Sequence, residues 1–310
     1  MVRISELKES NIKTVRGCFS NGQIWVKSDL AESTGMSLAA ITNILQFLIK
    51  NDEILFVGYA QSSVGRKAKK YQINPDYKHY GVITCKNEGD HDTMNISRYS
   101  LLGEEIDTKT LGVNITKDEI VSSAKQIVQG DPKVDVIIIY VPGICRGGRV
   151  ESSSIRGLVG LNLLNYLKDQ IDCQIILDNG LHYAAKGFDA SAKGHISVFV
   201  YQDTDALSRS VIVYDGDIAC GATDYAGTLL NDEQGDAFMR LKHQLATINA
   251  LLDPDVIGVY SEALDGFDER DLLTDISIYH RAKIKAVDDI DEFIRQGMHA
   301  ICLKYLLNND

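Results

Sequence analysis

Four long cationic side chains lie close together in a short polar segment near the amino end of the chain. The segment reads SSVGRKAKK from Ser62, and its cations are Arg66, Lys67, Lys69 and Lys70. Strand-like stretches flank it at Ile54–Tyr59 and Tyr71–Ile73, so we predict two strands joined by a flexible basic tip that includes Gly65. Long cations on a mobile hairpin can reach a phosphate or enter a narrow minor groove of DNA.

A second set of small and polar side chains belongs to the helix predicted for Leu38–Asn51. Apolar residues recur at helical spacing, and the expected buried face consists of Leu38, Ile41, Ile44, Leu45 and Leu48. The residues that then point outward are Ser37, Ala39, Ala40, Thr42, Asn43 and Gln46. Ala and Thr methyl groups can contact the thymine methyl group, and Asn or Gln can pair with adenine. Such residues at the start of a helix suit insertion into a major groove.

The elements that must position these side chains are three helices and the basic hairpin. Helices are predicted over Glu9–Ser20, Asp29–Ser33 and Leu38–Asn51. Ser28 and Ser37 are the expected N-caps of the second and third helices. A short helix, a turn that contains Gly35 and a longer helix make a helix-turn-helix. Residues 1–78 are therefore predicted to form a winged helix-turn-helix DNA-binding domain.

Charge is distributed unevenly along the chain. Residues 1–79 carry 11 Lys and Arg against seven Asp and Glu, a net charge of +4. The remaining residues carry 21 against 36, a net charge of −15. A basic head can bind phosphates, whereas an acidic body repels nucleic acid. Winged helices also serve as protein–protein modules, so a scaffold protein whose winged helix contacts another protein is an alternative.

Composition excludes several other classes of protein. The six cysteines are far apart in sequence, so neither a CxxC metal knuckle nor a redox pair is present. The start of the chain, MVRISELKESN, lacks the apolar core of a signal peptide, and runs such as Val136–Val141 are too short to span a membrane. We therefore expect a cytoplasmic protein with reduced thiols, no metal site, no cofactor and no membrane contact.

Residues 79–310 alternate strand-like apolar runs with helical patterns, which predicts an α/β fold. Strands are predicted over Val134–Val141, Gln174–Leu177, His195–Tyr201, Ser210–Tyr214, Val256–Tyr260 and Ile276–Tyr279. Helices are predicted over Lys117–Gln129, Leu161–Gln170, Gly180–Gly187, Gly235–Leu252 and Asp288–Leu307. We expect two lobes, over about 79–187 and 188–295, and a carboxy-terminal helix that returns to the first lobe.

The chain as a whole resembles the ROK family, which contains both sugar kinases and sugar-responsive repressors. In the head the resemblance lies in Asn11, in Ser28-Asp29-Leu30-Ala31 and in a Gly-Arg pair before Tyr71-Gln72-Ile73-Asn74-Pro75. In the body it lies in Val141-Pro142-Gly143-Ile144, Asp178-Asn179, Asp215-Gly216, Gly221 and Ala226-Gly227. The resemblance implies a two-lobed, actin-like or sugar-kinase-like body of the ribonuclease-H-like class behind a DNA-binding head.

Several positions depart from the motifs that the resemblance implies for a kinase. The general-base aspartate corresponds to Gly180, which has no proton acceptor. The first phosphate loop corresponds to Ile83-Thr84-Cys85-Lys86, without its acid or its glycine pair. The glycines of the second phosphate loop would let backbone N–H groups approach a phosphate. Their positions hold Thr204, Ala206, Ser208 and Ser210.

The remaining kinase motifs are also altered. The glycine pair beside the adenosine corresponds to Tyr260-Ser261, and the family's zinc-binding His and Cys cluster has no counterpart. The Glu and His of the sugar-contacting stretch correspond to Thr228 and Asn231. Asp178 lies two residues before Gly180 and could replace the missing base. A residual ATP-dependent sugar kinase therefore stays an alternative.

These departures favour a transcription regulator, and in particular a repressor, over an enzyme. The expected partners are an operator in double-stranded DNA and a second copy of the chain, because two winged helices on a symmetric scaffold read a palindrome. A carbohydrate or other small-molecule effector could bind through Asp178, Asn179, His182, Thr228 and Asn231. Alternatively, Asp178 and Asn179 only cap the following helix and bind nothing.

Overall fold

The computed structural model divides the chain into two compact units. The first unit is formed by Met1–Tyr140, Gly148–Leu177 and Cys302–Asp310, and the second by Val141–Gly147 and Asp178–Ile301. Both units combine helices and strands. The structure describes residues 4–20, 22–61, 67–87, 89, 91–112, 114–205, 208–222, 226–227, 229, 236–264, 268–272 and 282–308.

The first unit begins with three helices and a small antiparallel sheet, which we call the head. Its helices are α1 (Ile4–Cys18), α2 (Lys27–Thr34) and α3 (Leu38–Lys50). Its strands are β1 (Trp25–Val26), β2 (Ile54–Tyr59) and β3 (Lys69–Ile73). The sheet order is β1-β3-β2, and both strand pairs are antiparallel. The core of the head is filled by Val15, Phe19, Leu30, Leu48, Tyr71 and Ile73.

Local sequence explains where α2 ends and where α3 begins. Gly35 follows α2 with a φ of 70°, a left-handed conformation that glycine adopts without a Cβ penalty. Ser37 caps α3, because its hydroxyl accepts a hydrogen bond from the Ala40 N–H at 3.2 Å. The predicted turn and the predicted N-cap are thus confirmed. The buried residues of α3 are Ile41, Ile44, Leu45 and Leu48.

Two expectations for the head are wrong. Leu38 is 58% exposed instead of buried, because it is the first residue of α3 and the buried run begins one turn later, at Ile41. Ser28 does not cap α2, because the helix follows β1 directly and begins at Lys27. Ser28 is instead the second residue of α2, and its hydroxyl donates to the Asp29 carboxylate at 2.9 Å.

A buried ion pair joins α1 to the segment after α3. Arg16 Nε and Nη2 donate to the two carboxylate oxygens of Glu53 at 2.6 and 2.9 Å. Arg16 is 9% exposed and Glu53 is 2% exposed. A buried charge without its partner is strongly destabilising. The pair therefore fixes α1 relative to the start of the small sheet.

The larger sheet of the first unit has five strands in the order β10-β7-β4-β5-β6. The elements from residue 79 to 178 are β4 (His79–Asn87), β5 (Asp92–Ser100), β6 (Glu105–Gly112), α4 (Lys117–Gly130), β7 (Val134–Tyr140), β8 (Ile144–Arg146), β9 (Arg149–Ser152), a 3-10 helix (Arg156–Leu158), α5 (Leu163–Lys168) and β10 (Gln174–Asp178). β4 pairs antiparallel with β5 and parallel with β7. A Cβ on Gly81 would lie 2.7 Å from Ile127 Cγ2, so glycine lets α4 pack closely on β4.

Several contacts join the head to this sheet. The Leu101 N–H donates to the Pro75 carbonyl at 2.9 Å, and a Cβ on Gly22 would lie 2.9 Å from Leu102 Cδ2. Lys78 Nζ lies 3.2 Å from Asp135 Oδ2. The turn between β5 and β6 therefore lies against the head.

His79 and Asp131 form a buried polar pair where β4 begins. His79 Nδ1 lies 2.6 Å from Asp131 Oδ2, and Arg98 donates to the Gly130 carbonyl at 3.1 Å. Burial raises the pKa of the Asp131 carboxyl. Two hydrogen bonds, from His79 and from the Lys133 N–H, lower this pKa, and so do the positive charges of His79 and Arg98. Together they outweigh burial and hold the pKa of Asp131 below its ordinary value of 3.8. The carboxylate form of Asp131 therefore stabilises the fold.

The second unit contains a five-stranded sheet in the order β13-β12-β11-β14-β15. Its elements are α6 (Gly180–Ala192), β11 (Ile196–Gln202), β12 (Ser208–Tyr214), β13 (Asp217–Ile218), α7 (Ala237–Leu252), β14 (Val256–Ser261), α8 (Glu269–Leu272), β15 (Lys283–Ala286) and α9 (Ile290–Asn308), whose residues from Cys302 onward belong to the first unit. Its core includes Val198, Val200, Leu241, Leu245, Ile257 and Val259. A Cβ on Gly187 would lie 2.9 Å from the Gly297 nitrogen, so α6 and α9 pack backbone to backbone.

The strands predicted near residues 134, 174, 195, 210 and 256 are confirmed to within two residues, as are the five helices of the body within a few residues. The strand predicted over Ile276–Tyr279 lies outside the described residues. The strands β4, β5 and β6 were not predicted from the sequence, because they mix polar and apolar residues. β6 is exposed along nearly its whole length. No helix in the described part of the chain is long and apolar enough to cross a membrane.

Replacing Glu53 with Ala leaves the Arg16 guanidinium buried without its carboxylate. We expect the free energy of unfolding to fall by about 3–5 kcal/mol, measured by urea denaturation followed by circular dichroism. The matched control, Glu32→Ala, removes an exposed glutamate from α2. It should change the free energy of unfolding by less than about 0.5 kcal/mol. Equal losses for the two variants would contradict a structural role for the ion pair.

The lowered pKa of Asp131 makes its contribution to stability depend on pH. A carboxyl whose pKa is lower in the folded than in the unfolded chain stabilises the fold above the unfolded pKa, and this stability is lost as the pH falls through the folded pKa. Asp131→Asn should therefore be less stable than the wild type near neutral pH, and the difference should shrink below pH 3.8. Urea denaturation at several pH values, from neutral to below 3.8, measures the difference in the free energy of unfolding. The control is Asp172→Asn, at an exposed position. A difference that stays constant with pH would contradict the assignment.

Candidate nucleic-acid interface and ligand site

The outward face of α3 carries the residues that the sequence placed there. Ser37, Ala39, Asn43 and Gln46 are exposed, and Ala40 and Thr42 are partly buried. The Thr42 hydroxyl donates to the Leu38 carbonyl at 2.7 Å, so it is already bonded within the helix. Asn43 and Gln46 lie on the same side as Ala39 and Ala40, because residues three and four apart share a helix face. The face is therefore small and polar over its first two turns.

The hairpin formed by β2 and β3 carries the basic residues. Tyr59 pairs with Lys69 and Gly58 with Lys70 at its outer end. Lys67 and Lys69 are exposed, and Lys70 is partly buried. The predicted tip residues Gly65 and Arg66 lie outside the described residues.

The sequence analysis missed an exposed aromatic pair on β2, formed by Phe56 and Tyr59, which we call the wing pair. Phe56 is 47% exposed and Tyr59 is 54% exposed. The two rings meet edge to face with centroids 5.1 Å apart, and Lys69 Nζ lies 5.6 Å from the Phe56 centroid. Strand aromatics are normally expected to face a core. The sequence feature that could have indicated this pair is Gly58, because an isolated glycine inside a strand indicates a bulge.

The predicted effector residues Asp178, Asn179 and His182 lie together where β10 meets α6. Asn179 Oδ1 accepts a hydrogen bond from the His182 N–H at 3.0 Å and caps α6. Asp178 Oδ1 accepts from the Asn179 N–H at 2.8 Å and lies 2.8 Å from His182 Nδ1. The polar atoms of this cluster therefore bond mainly to one another. Thr228 and Asn231 lie outside the described residues.

A cysteine lies near the same carboxylate but is not activated by it. Burial, and then the negative charge of Asp178, raise the pKa of the Cys145 thiol to about 12. The thiolate is the reactive form of cysteine, so Cys145 stays protonated and unreactive at neutral pH. No disulfide joins the six cysteines, all of which lie in the described ranges, and three of them are buried.

The residues that correspond to the catalytic base and the first phosphate loop have a structural role. Gly180 is the buried first residue of α6. The segment after Gly81 continues β4 without a turn. Ile83 pairs with Ile96 of β5 and with Ile139 of β7. Backbone N–H and C=O groups in the middle of a sheet already form hydrogen bonds with the neighbouring strands, so they cannot also bind a phosphate.

The second phosphate-loop segment lies largely in a β-hairpin. Ser208 and Ser210 belong to β12 and pair with Gln202 and Val200 of β11. The Ser210 hydroxyl donates to the Gly227 carbonyl at 2.6 Å. Buried serine side chains thus occupy two positions where glycine would open the backbone. Thr204 lies in a turn, and Ala206 lies outside the described residues.

Side chains also fill the carboxyl ends of the parallel strands β11 and β14. The Tyr201 and Tyr260 rings stack with centroids 5.9 Å apart and an interplanar angle of 9°. The Ser261 hydroxyl donates to Gln202 Oε1 at 2.8 Å. Ligands of open α/β sheets bind outside such carboxyl ends, so these contacts lie at the edge of the sheet where such ligands generally bind. Within the described ranges, no group of three or more His, Cys, Asp or Glu side chains is placed to hold a metal ion.

Comparisons with known proteins identify similar folds. A ROK family transcriptional regulator, a homologue of the E. coli MLC protein, covers 97% of this chain and 99% of its own, with a TM-score of 0.68 and 14% identity. A ROK family protein from Streptococcus pneumoniae TIGR4, solved in complex with sucrose, covers 73% of this chain and 98% of its own, with a TM-score of 0.56 and 13% identity. The ROK hexokinase from Thermus thermophilus covers 72% and 98%, with a TM-score of 0.55 and 12% identity.

Comparison at the level of sequence finds no counterpart: no family model matches the chain, and no curated protein matches it. The likeness to ROK-family structures is therefore one of fold. In the case of the transcriptional regulator it extends over nearly the whole chain.

Proposed function

We propose that the chain is a sequence-specific DNA-binding transcription regulator, a repressor, whose residues 1–78 form a winged helix-turn-helix. The observation that carries the proposal is the extent of the structural likeness. The regulator covers 97% of this chain, whereas the hexokinase covers 72%. Residues 79–310 make up about three quarters of the chain. The head is thus the part that a regulator has and a kinase lacks.

The geometry of the head supports DNA as its partner. The exposed start of α3 presents small and polar side chains of the kind that contact base edges in a major groove. The β2–β3 hairpin carries exposed Lys67 and Lys69, and the first 79 residues have a net charge of +4. A base-reading face beside a cationic hairpin suits recognition of an operator in double-stranded DNA.

The proposed assembly is a homodimer in the cytoplasm. One small winged helix contacts few base pairs, whereas two related by a two-fold axis read both halves of a palindrome. The body would supply this dimer contact, and its net charge of −15 would keep it away from the phosphates.

We propose that the body is a catalytically inactive, kinase-like domain. Gly180 supplies no base, and the segments that correspond to both phosphate loops are occupied by strand pairing in β4 and β12. Phosphoryl transfer depends on positioning and charge stabilisation by such loops. A residual sugar kinase is therefore the weaker alternative.

A carbohydrate or other small-molecule effector would bind through Asp178, Asn179 and His182, with Thr228 and Asn231. The S. pneumoniae protein with this fold was solved in complex with sucrose, which supports a carbohydrate. The mutual hydrogen bonds of Asp178, Asn179 and His182 support the alternative in which they only cap α6. A sugar would have to replace some of these bonds with its hydroxyl groups.

The DNA-binding proposal is tested by fluorescence anisotropy. The protein is titrated into labelled DNA from upstream of its own gene, with random DNA as competitor. We expect specific binding at least about 1,000-fold tighter than non-specific binding at physiological salt. Arg66→Ala/Lys67→Ala should weaken binding to every sequence and reduce the salt slope by about 2, since each phosphate contact contributes about 0.9. The control, Lys109→Ala/Lys168→Ala, removes two exposed cations from the body and should change neither quantity.

Equal affinity of the wild type for its upstream DNA and for random DNA would overturn the proposal. That outcome would favour the scaffold alternative, in which the winged helix contacts another protein.

A thermal-shift panel of sugars and sugar phosphates, paired with a coupled assay of ATP turnover, tests the body. We expect no sugar-dependent turnover. An effector at about 100 times its Kd should stabilise the fold by about 2.7 kcal/mol. His182→Ala should abolish this shift, whereas His243→Ala, at an exposed position of α7, should retain it. Sugar-dependent turnover would establish the kinase alternative, and a panel without any shift would leave Asp178 and Asn179 as caps only.

A further inference from the structure

The wing pair, Phe56 and Tyr59, is an apolar surface that the fold of the head leaves open. Both rings are about half exposed, and they contact each other edge to face instead of packing into the core. Lys69 Nζ lies 5.6 Å from the Phe56 centroid, and the exposed Lys67 is two residues before Lys69 in the chain. Two exposed rings with a lysine against one of them form a surface that is both apolar and positive.

A β-bulge places the two rings side by side. Successive strand residues alternate between faces, so residues 56 and 59 would normally point to opposite sides of the sheet. Phe56 pairs with Tyr71 and Gly58 with Lys70, which leaves Val57 as the extra residue. The extra residue returns Tyr59 to the face of Phe56. Gly58 has a φ of 122°, a conformation that favours glycine.

The rings lie on the face of the sheet that packs against the helices of the head. Ile54 and Tyr71 share this face with Phe56, and both are buried. α3 is one of the elements that contact β2. The wing pair therefore continues this face from the buried Ile54 and Tyr71 toward the outer end of β2, where both rings are about half exposed. Leu55 points to the opposite face, where it pairs with Gln72.

The chemistry of this surface matches a minor groove. Proteins that bind there combine Arg or Lys with apolar side chains that insert between base steps and kink the duplex. Lys69 stands 5.6 Å from the Phe56 ring, close enough to reach a phosphate on the rim of a groove that the rings enter. A neutral or basic protein partner would leave Lys69 beside the rings without a counter-charge, whereas the grooves of DNA are bordered by phosphates.

We propose that Phe56 and Tyr59 form an apolar wedge that enters the minor groove next to the bases contacted by α3, with Lys69 on a flanking phosphate, and that this wedge bends the DNA. The inference rests on the proposed DNA-binding function. It assigns to β2 a role in recognition that depends on the deformability of the base step under the wedge.

The test compares Phe56→Ala/Tyr59→Ala with Leu55→Ala, a matched control on the same strand and the opposite face. Affinity for the upstream DNA is measured at several salt concentrations, and bending is measured by energy transfer between dyes at the two ends of the duplex. We expect the double variant to bind about tenfold or more weakly with an unchanged salt slope, because the rings carry no charge. It should also leave the duplex straighter, whereas Leu55→Ala should match the wild type.

Lys69→Ala separates the phosphate contact from the wedge. It should reduce the salt slope by about 0.9 and retain most of the bend. Circular dichroism and melting verify that each variant folds. If alanine destabilises β2, Phe56→Gln/Tyr59→Gln replaces the rings with long polar side chains and serves the same comparison.

Wild-type affinity and bending in the double variant would overturn the wedge while leaving the proposed function intact. Absence of specific DNA binding by the wild type would instead overturn the proposed function, and the wedge with it. Loss of self-association in the double variant, seen by sedimentation with unchanged DNA affinity, would identify the rings as a contact between copies and would also overturn the wedge.

Discussion

The hydrogen-bond ladder of β4 is the constraint on which the first unit depends. β4 pairs with β7 on one side and β5 on the other, so its backbone groups are satisfied over most of its length. The strand begins at His79, whose contact with Asp131 holds the segment that leaves the head. The ladder also runs through Ile83 and Cys85, where the resemblance to sugar kinases implied a phosphate loop. One set of bonds thus anchors the segment that follows the head and occupies the backbone groups of Ile83 and Cys85.

In the head, burial of one face decides what the other face can do. The buried face of α3 consists of Ile41, Ile44, Leu45 and Leu48, so the small and polar residues of this helix remain at the surface. The Arg16–Glu53 pair holds α1 against the start of the small sheet at the cost of burying two charges. The pair therefore fixes the start of β2, from which the β2–β3 hairpin extends.

In the body, several polar and aromatic side chains are held by contacts within the second unit. Ser210 bonds to the Gly227 carbonyl, and Tyr260 stacks on Tyr201. Asp178 is held by Asn179 and His182 at the start of α6. Each of these contacts is made within the second unit and stabilises it.

Local sequence determined the features whose causes are local. Ser37 and Gly35 set the ends of α3 and α2 through a cap and a left-handed turn, and the apolar runs at Val134–Tyr140 and Val256–Ser261 became strands. The resemblance in the motifs also indicated the fold, and the replacement of Gly positions such as Ser208 indicated a changed phosphate segment.

Only the tertiary structure decided the features that depend on distant partners. Arg16 and Glu53 are 37 residues apart, so no local pattern pairs them. Leu38 is exposed because the buried face of α3 begins only at Ile41, and the polar strand β6 forms because β5 bonds to it. Phe56 and Tyr59 meet because the ladder with β3 admits one extra residue at Val57. Periodicity assigns a residue to a face, but the pairing of strands decides which face that is and what covers it.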